Sequence, residues 1–146
     1  MPRALWTLVA LLPIALSAQA QRLAPSGVEI RTAYCISVLT GRGKDAQTRA
    51  SLPGPRAQQE ALREGQAGFE RDVRRLRSYL VPRMKFLDGE ALLAAAERGQ
   101  ADVDSFLQTE RACEARCGKN ATCFGACAAK DAAAERAKAC RPVNWL

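Results

Sequence analysis

Apolar positions recur at helical spacing along most of this chain, and no segment alternates long enough to make a confident strand. The clearest stripe runs through Leu62, Phe69, Val73, Leu76 and Leu80, at steps of seven, four, three and four. Those steps keep the residues on one side of a helix, so the pattern predicts a helix over Arg56–Val81 that Pro82 ends. Gly65 and Gly68 weaken that helix or admit a close neighbour. Upstream, Ile30, Ala33, Tyr34 and Val38 share a face, which predicts a helix over Val28–Leu39 with Cys35 in its middle.

Between these two helices, Thr40–Arg56 holds Gly41, Gly43, Pro53, Gly54 and Pro55, with Arg42, Lys44 and Arg49 expected on the outside. Such a stretch reads as a mobile linker (residues 40–56). Gly41-Arg42-Gly43-Lys44 is not a phosphate loop. Too few residues separate the first glycine from Gly-Lys, and Asp45 stands where Ser or Thr is needed.

Further on, Asp88 is placed to cap a short helix that presents Leu92, Leu93 and Ala96 inward and stops at Gly99. Asp102 then opens a helix whose buried stripe passes through Val103 and Phe106 to Cys113 and Cys117. Gly118 suits its C-terminal cap, and Asn120 or Thr122 can cap the next helix. That helix runs from Cys123 through the alanine-rich stretch to Cys140, and Pro142 stops it. The expectation is an all-α fold, a small disulfide-stapled helical bundle with a C-x3-C/C-x3-C hairpin over 102–141.

The cysteines sharpen this picture. Two cysteines four apart sit one turn above each other on a helix face. The short turn Gly118–Thr122 forces antiparallel arms, which sets Cys117 opposite Cys123 and Cys113 opposite Cys127. Pairing Cys113 with Cys123 needs parallel arms, and bridging within one arm spans too far. Ala112, Ala115, Ala121, Gly125 and Ala126 are small enough to let the arms approach. Cys35 is then left for Cys140. From Cys113 to Cys127 the spacing is similar to that of other disulfide-linked helical hairpins with two C-x3-C arms, such as plant hairpin-type inhibitor peptides and small mitochondrial chaperones. It is a shared structural solution.

The N-terminal end departs from the helical-bundle pattern. Arg3 precedes a mostly apolar run over Ala4–Leu16, and Ala18-Gln19-Ala20 has the small-x-small form of a cleavage site. This reads as a signal peptide over 1–20. The run is shorter than the roughly 20 residues a spanning helix needs, and Pro13 interrupts it. The expected mature chain is one domain over 21–146, exported to the periplasm or secreted, which suits an even cysteine count.

Composition narrows the chemistry. The 146-residue chain has no histidine, which removes the commonest general base and metal ligand. It also excludes Ser–His and Cys–His nucleophile pairs. Four thiols could form a zinc set, but C-x3-C is not a zinc knuckle, and an oxidising compartment favours disulfides, so no metal and no cofactor is expected. Redox chemistry lacks its C-x-x-C motif. Carboxylate pairs exist in Asp102 with Asp104 and Asp88 with Glu90, each also explained as a helix-start charge. Asn120-Ala121-Thr122 matches a glycosylation acceptor and equally an ordinary capped turn. Trp145, near the chain end, either packs back on the bundle or meets a partner.

The net charge is +7, and +6 without Arg3. It concentrates in Arg71, Arg74, Arg75, Arg77, Arg83 and Lys85, with the first three across from the apolar stripe and Arg77 at its flank. That face suits an anionic glycan, a lipid surface or an acidic protein. Sequence-specific nucleic acid is not supported, because no reader motif is present and aromatic residues are scarce. The leading expectation is an exported, non-catalytic binding protein, and the alternative is a small secreted enzyme that works with carboxylates.

Overall fold

The computed structural model describes residues 22–146, so the signal-peptide reading lies outside the described residues. Among the described residues five helices follow one another: α1 Gly27–Ser51, α2 Arg56–Met84, α3 Gly89–Cys117, α4 Ala121–Ala128 and α5 Ala132–Lys138. The only bridge among the described residues is an isolated parallel one between Leu23 and Leu87. α1 is the central element. It packs against both α2 and α3, while α4 and α5 lie on α3.

Helix α1 starts at a capping box. The Ser26 hydroxyl accepts from the Glu29 backbone N–H, and the Glu29 carboxylate accepts from the Ser26 N–H at 2.7 Å. The helix does not stop at Leu39. Residues 40–51, expected as a mobile linker, continue it to Ser51, and only Leu52–Pro55 form the turn. The glycines that suggested a loop are sites of close approach. A Cβ on Gly41 would lie 2.7 Å from the Val103 Cγ1, and one on Gly43 would lie 3.6 Å from the Phe69 Cβ. Contacts to two neighbouring helices outweigh the roughly 1 kcal/mol that each glycine costs inside a helix. Arg42 and Arg49, expected outside, are drawn in for the same reason. The Arg42 guanidinium stacks between Phe106 and Phe69, 4.9 and 5.3 Å from their centroids, and Arg49 pairs with Glu114.

Three other boundaries differ from expectation. Pro82 lies inside α2, which continues to Met84. So near the C-terminus the missing N–H forfeits one bond without breaking the element. Gly99 does not stop a helix. It is buried in the middle of α3, where a Cβ would overlap the Tyr34 carbonyl oxygen. Asp102 therefore opens no helix. The second hairpin arm is broken in two, because Asp131 caps a fresh helix by accepting from the Ala133 N–H at 2.8 Å.

Val38, Leu39, Leu76 and Val103 are fully buried. One core cluster joins Cys35, Val38 and Leu39 of α1 to Val73 and Leu76 of α2 and to Ala137, Cys140 and Val143. A second joins Ala33 to Leu80, Leu87, Leu92 and Ala95. The disulfides are Cys113–Cys127 and Cys117–Cys123, as antiparallel arms require, and Cys35–Cys140, the remaining pair, and no cysteine is free. Gly118 ends α3 at φ 55°, a backbone region open to glycine, and the Asn120 side chain caps α4 by accepting from the Cys123 N–H at 3.0 Å. Trp145 packs back on the first core cluster beneath the Arg31 guanidinium, 4.3 Å from its ring centroid.

Candidate functional site

The stripe that defines α2 buries Val73, Leu76 and Leu80, which fixes the rotation of the helix. Arg71, Arg74, Arg75 and Arg77 must then lie on the outer side or at its edge, and all four are exposed, as are Arg83 and Lys85. None of the six takes part in an ion pair among the described residues. An i,i+4 pair of Glu70 with Arg74 is the natural expectation from spacing. Instead, Glu70 accepts from the Gln66 amide at 2.9 Å. Asp72, the acid nearest in sequence, is held at 2.9 Å by Arg141 of the chain end. Arg71, Arg74, Arg75 and Arg77 thus make no ion pair with a described residue over two turns, although Glu70 shares a groove with Arg74 and Arg77, and Asp72 a cleft with Arg75. Arg83 folds back over Tyr79, 4.0 Å from the ring centroid, and Lys85 lies 4.7 Å from that of Phe86.

A groove of about 300 Å³ runs between α1 and α2 beside this face. Its apolar lining comes from Leu39, Phe69 and Val73, and its cations are Lys44, Arg74 and Arg77. Gln47, Gln66 and Glu70 supply further polar groups. The Thr40 hydroxyl, another lining group, is buried and has no hydrogen-bond partner. Lys44 joins the arginines because α1 continues past Leu39, and a linker reading hid that. Arg74 and Arg77 belong to both groove and face, whereas Arg71 and Arg75 lie on the outer face, with Arg75 beside Asp72 and Arg141 in a separate cleft.

The carboxylate pairs do not converge. Asp88 caps α3, accepting from the Glu90 N–H at 3.0 Å, and Asp104 accepts from Gln100. Asp102 is a tie between elements. It accepts from the Tyr34 hydroxyl at 2.8 Å and from Arg136 at 2.8 and 2.6 Å. These bonds from Arg136, opposed by burial and aided by Tyr34, hold its carboxyl below the usual range. Burial first, then the hydrogen bond and charge of Asp102, push the Tyr34 phenol up to about 12.

The sign follows from linkage. The Asp102 contribution to stability is present above the ordinary aspartate pKa and is lost as pH falls, and that of Tyr34 is present below pH 10 and is lost as pH rises through about 12. Ultraviolet titration of the phenols should therefore show one tyrosine ionising near pH 12. Asp102→Asn should move that step down only part of the way, because burial, the larger cause, remains, and an unmoved step would separate the shift from this contact.

A different set of carboxylates does share a groove. Asp45, Glu110 and Glu114 line a cavity between α1 and α3 with Arg49 and Arg111. Sequence reasoning missed it because Asp45 lies in the stretch read as a linker. Arg111 holds Asp45 at 3.1 Å, and Arg49 holds Glu114. Burial pushes the Glu110 carboxyl up, with Arg42 and Arg49 pulling against it. Two of the three acids are thereby occupied by guanidiniums, so the cluster ties α1 to α3 and leaves no free general base to pair with Glu110.

No group of three or more His, Cys, Asp or Glu side chains among the described residues is placed to hold a metal ion. Nor is any described helix long and apolar enough to cross a membrane. Comparison with protein-family models, with curated proteins and with solved structures finds no match for the chain.

Proposed function

We propose that this is an exported, non-catalytic binding protein whose partner is anionic and is received by the outer face of α2. The observation that carries the reading is the exposed run Arg71, Arg74, Arg75 and Arg77, none of them in an ion pair among the described residues. Arg71 with Arg75, and Arg74 with Arg77, are like charges on neighbouring helix positions, an arrangement that destabilises a helix slightly. Bringing a polyanion or an anionic surface to this face relieves that repulsion. Guanidinium groups suit phosphate, sulfate and carboxylate oxygens. Three disulfides are consistent with an extracytoplasmic site of action, and the leader over 1–20 with cleavage after Ala20 supplies the route. Binding ranks ahead of carboxylate catalysis because the acids that do meet, Asp45 and Glu114, are already paired with arginines.

The test is retention on an immobilised sulfated polysaccharide across a salt series. The parent should bind at low salt and release as salt rises, because counterions return to the polyanion. Arg71→Glu with Arg75→Glu should abolish retention while leaving the circular dichroism spectrum and melting curve intact, since both side chains are exposed and neither is in an ion pair among the described residues. Equal retention of the double variant would make the face a plain solvated surface.

A further inference from the structure

Most of the large apolar side chains left exposed gather at one end of the bundle, around the α2–α3 turn. Val81, Met84 and Leu93 line a single groove of about 300 Å³ whose floor includes Leu80 and Leu92, and Val81 and Leu93 are each 59 % exposed. Phe86 follows in the turn at 58 %. Leu23, at 65 %, is fastened to the same end by backbone bonds, donating to the Phe86 carbonyl and accepting from the Asp88 N–H, both at 2.8 Å. A cluster of this kind is more than the scattered apolar residues any surface carries.

Charge identifies what covers it. Arg77 lines the groove itself, and Lys85 reaches over the Phe86 ring. Arg83 stands between them in sequence, and the remaining arginines of α2 extend the same sign up the helix. The acids at this end are Asp88, engaged in capping α3, Glu29, engaged in the capping box of α1, and Glu90. Apolar side chains at a tip with long cationic side chains around them match the headgroup–acyl boundary of a bilayer. There the cations meet lipid phosphates while their stems lie along the apolar layer. We infer that the α2–α3 tip inserts into the surface of an anionic phospholipid bilayer. This rests on the reading of α2 as an anion-binding face, and it goes further by naming lipid as the partner and the apolar tip as the part that enters it.

The experiment uses protein purified from the exported fraction, sedimented with vesicles of phosphatidylcholine alone or mixed with phosphatidylglycerol. The parent should sediment with the mixed vesicles only. Met84→Ser with Phe86→Ser should weaken that binding at least about tenfold, since each side chain contributes a substantial apolar area, while retention on the sulfated polysaccharide stays unchanged. Phe86→Trp in a Trp145→Phe background, which leaves residue 86 as the one tryptophan of residues 21–146, gives a second readout: its emission should shift to the blue on mixed vesicles and be quenched by lipid brominated in the acyl chain.

Unchanged vesicle binding by the serine variant, or a tryptophan that brominated lipid does not quench, overturns insertion. Retention on the polysaccharide without vesicle binding also overturns it and leaves the basic face standing with a soluble or protein partner. Failure to bind either one removes both readings.

Discussion

Replacing Cys35 and Cys140 together by alanine should lower the melting temperature by about 10 °C or more, the largest stability effect expected from any single cross-link in this protein. The bridge joins residues 105 apart in sequence, from the central helix to the chain end. In the chain-entropy account a closed loop of that length is worth about 4.7 kcal/mol, whereas a loop as short as that of Cys117–Cys123 is worth about 2 kcal/mol. Both sulfurs are also buried within the first core cluster, so their loss removes packing at the point where α1, α2 and the segment after α5 meet. Thermal melts of the Cys35–Cys140 and Cys117–Cys123 double variants, side by side, check this. A smaller loss for the long-range bridge would mean that the core holds the C-terminal segment without it.

Gly99→Ala should destabilise the fold by about 1–3 kcal/mol, even though alanine is the better helix former. The added Cβ would overlap the Tyr34 carbonyl oxygen and sit 3.1 Å from the Ser37 Cβ. The first of these is backbone of a central helix, which cannot swing aside as a side chain would. α1 and α3 must separate, and the separation reaches the nearby contact of Gly41 with Val103. Gly65→Ala is the matched control, since nothing lies within 4 Å of its Cβ position, and there the change should stabilise by roughly 0.5–1 kcal/mol. Opposite signs in denaturant unfolding support close approach as the role of Gly99. A stabilising Gly99→Ala would remove that role.

The glycines also mark where the sequence could and could not be read. Local patterns made the helical class, the α2 stripe and the hairpin legible: cysteines four apart, a five-residue turn and small neighbours admit only one pairing of the arms. Gly41, Gly43 and Gly99 looked the same as loop glycines, because a glycine needed for close helix approach and one needed for a turn differ only in what lies beside them. Misreading the first two as a linker hid Lys44 from the groove it lines with Arg74 and Arg77, and Asp45 from the carboxylate groove. Phe69 and Phe106, which sandwich Arg42, are far from it in sequence, and no local signal announces such a stack. The basic face was visible because a helical wheel requires only local spacing. Its lack of ion pairs was not, since Asp72 turns to Arg141 at the other end of the chain.

The most direct test of the basic face as a binding surface is the slope of log binding constant against log salt concentration, measured on the sulfated polysaccharide. Each cation that displaces a counterion contributes roughly one unit or slightly less to that slope. The parent should show a slope of several units, and Arg71→Ala and Arg75→Ala should each reduce it by about one. A slope near zero, or one unchanged by both substitutions, would contradict the assignment of α2 as the surface that meets an anionic partner.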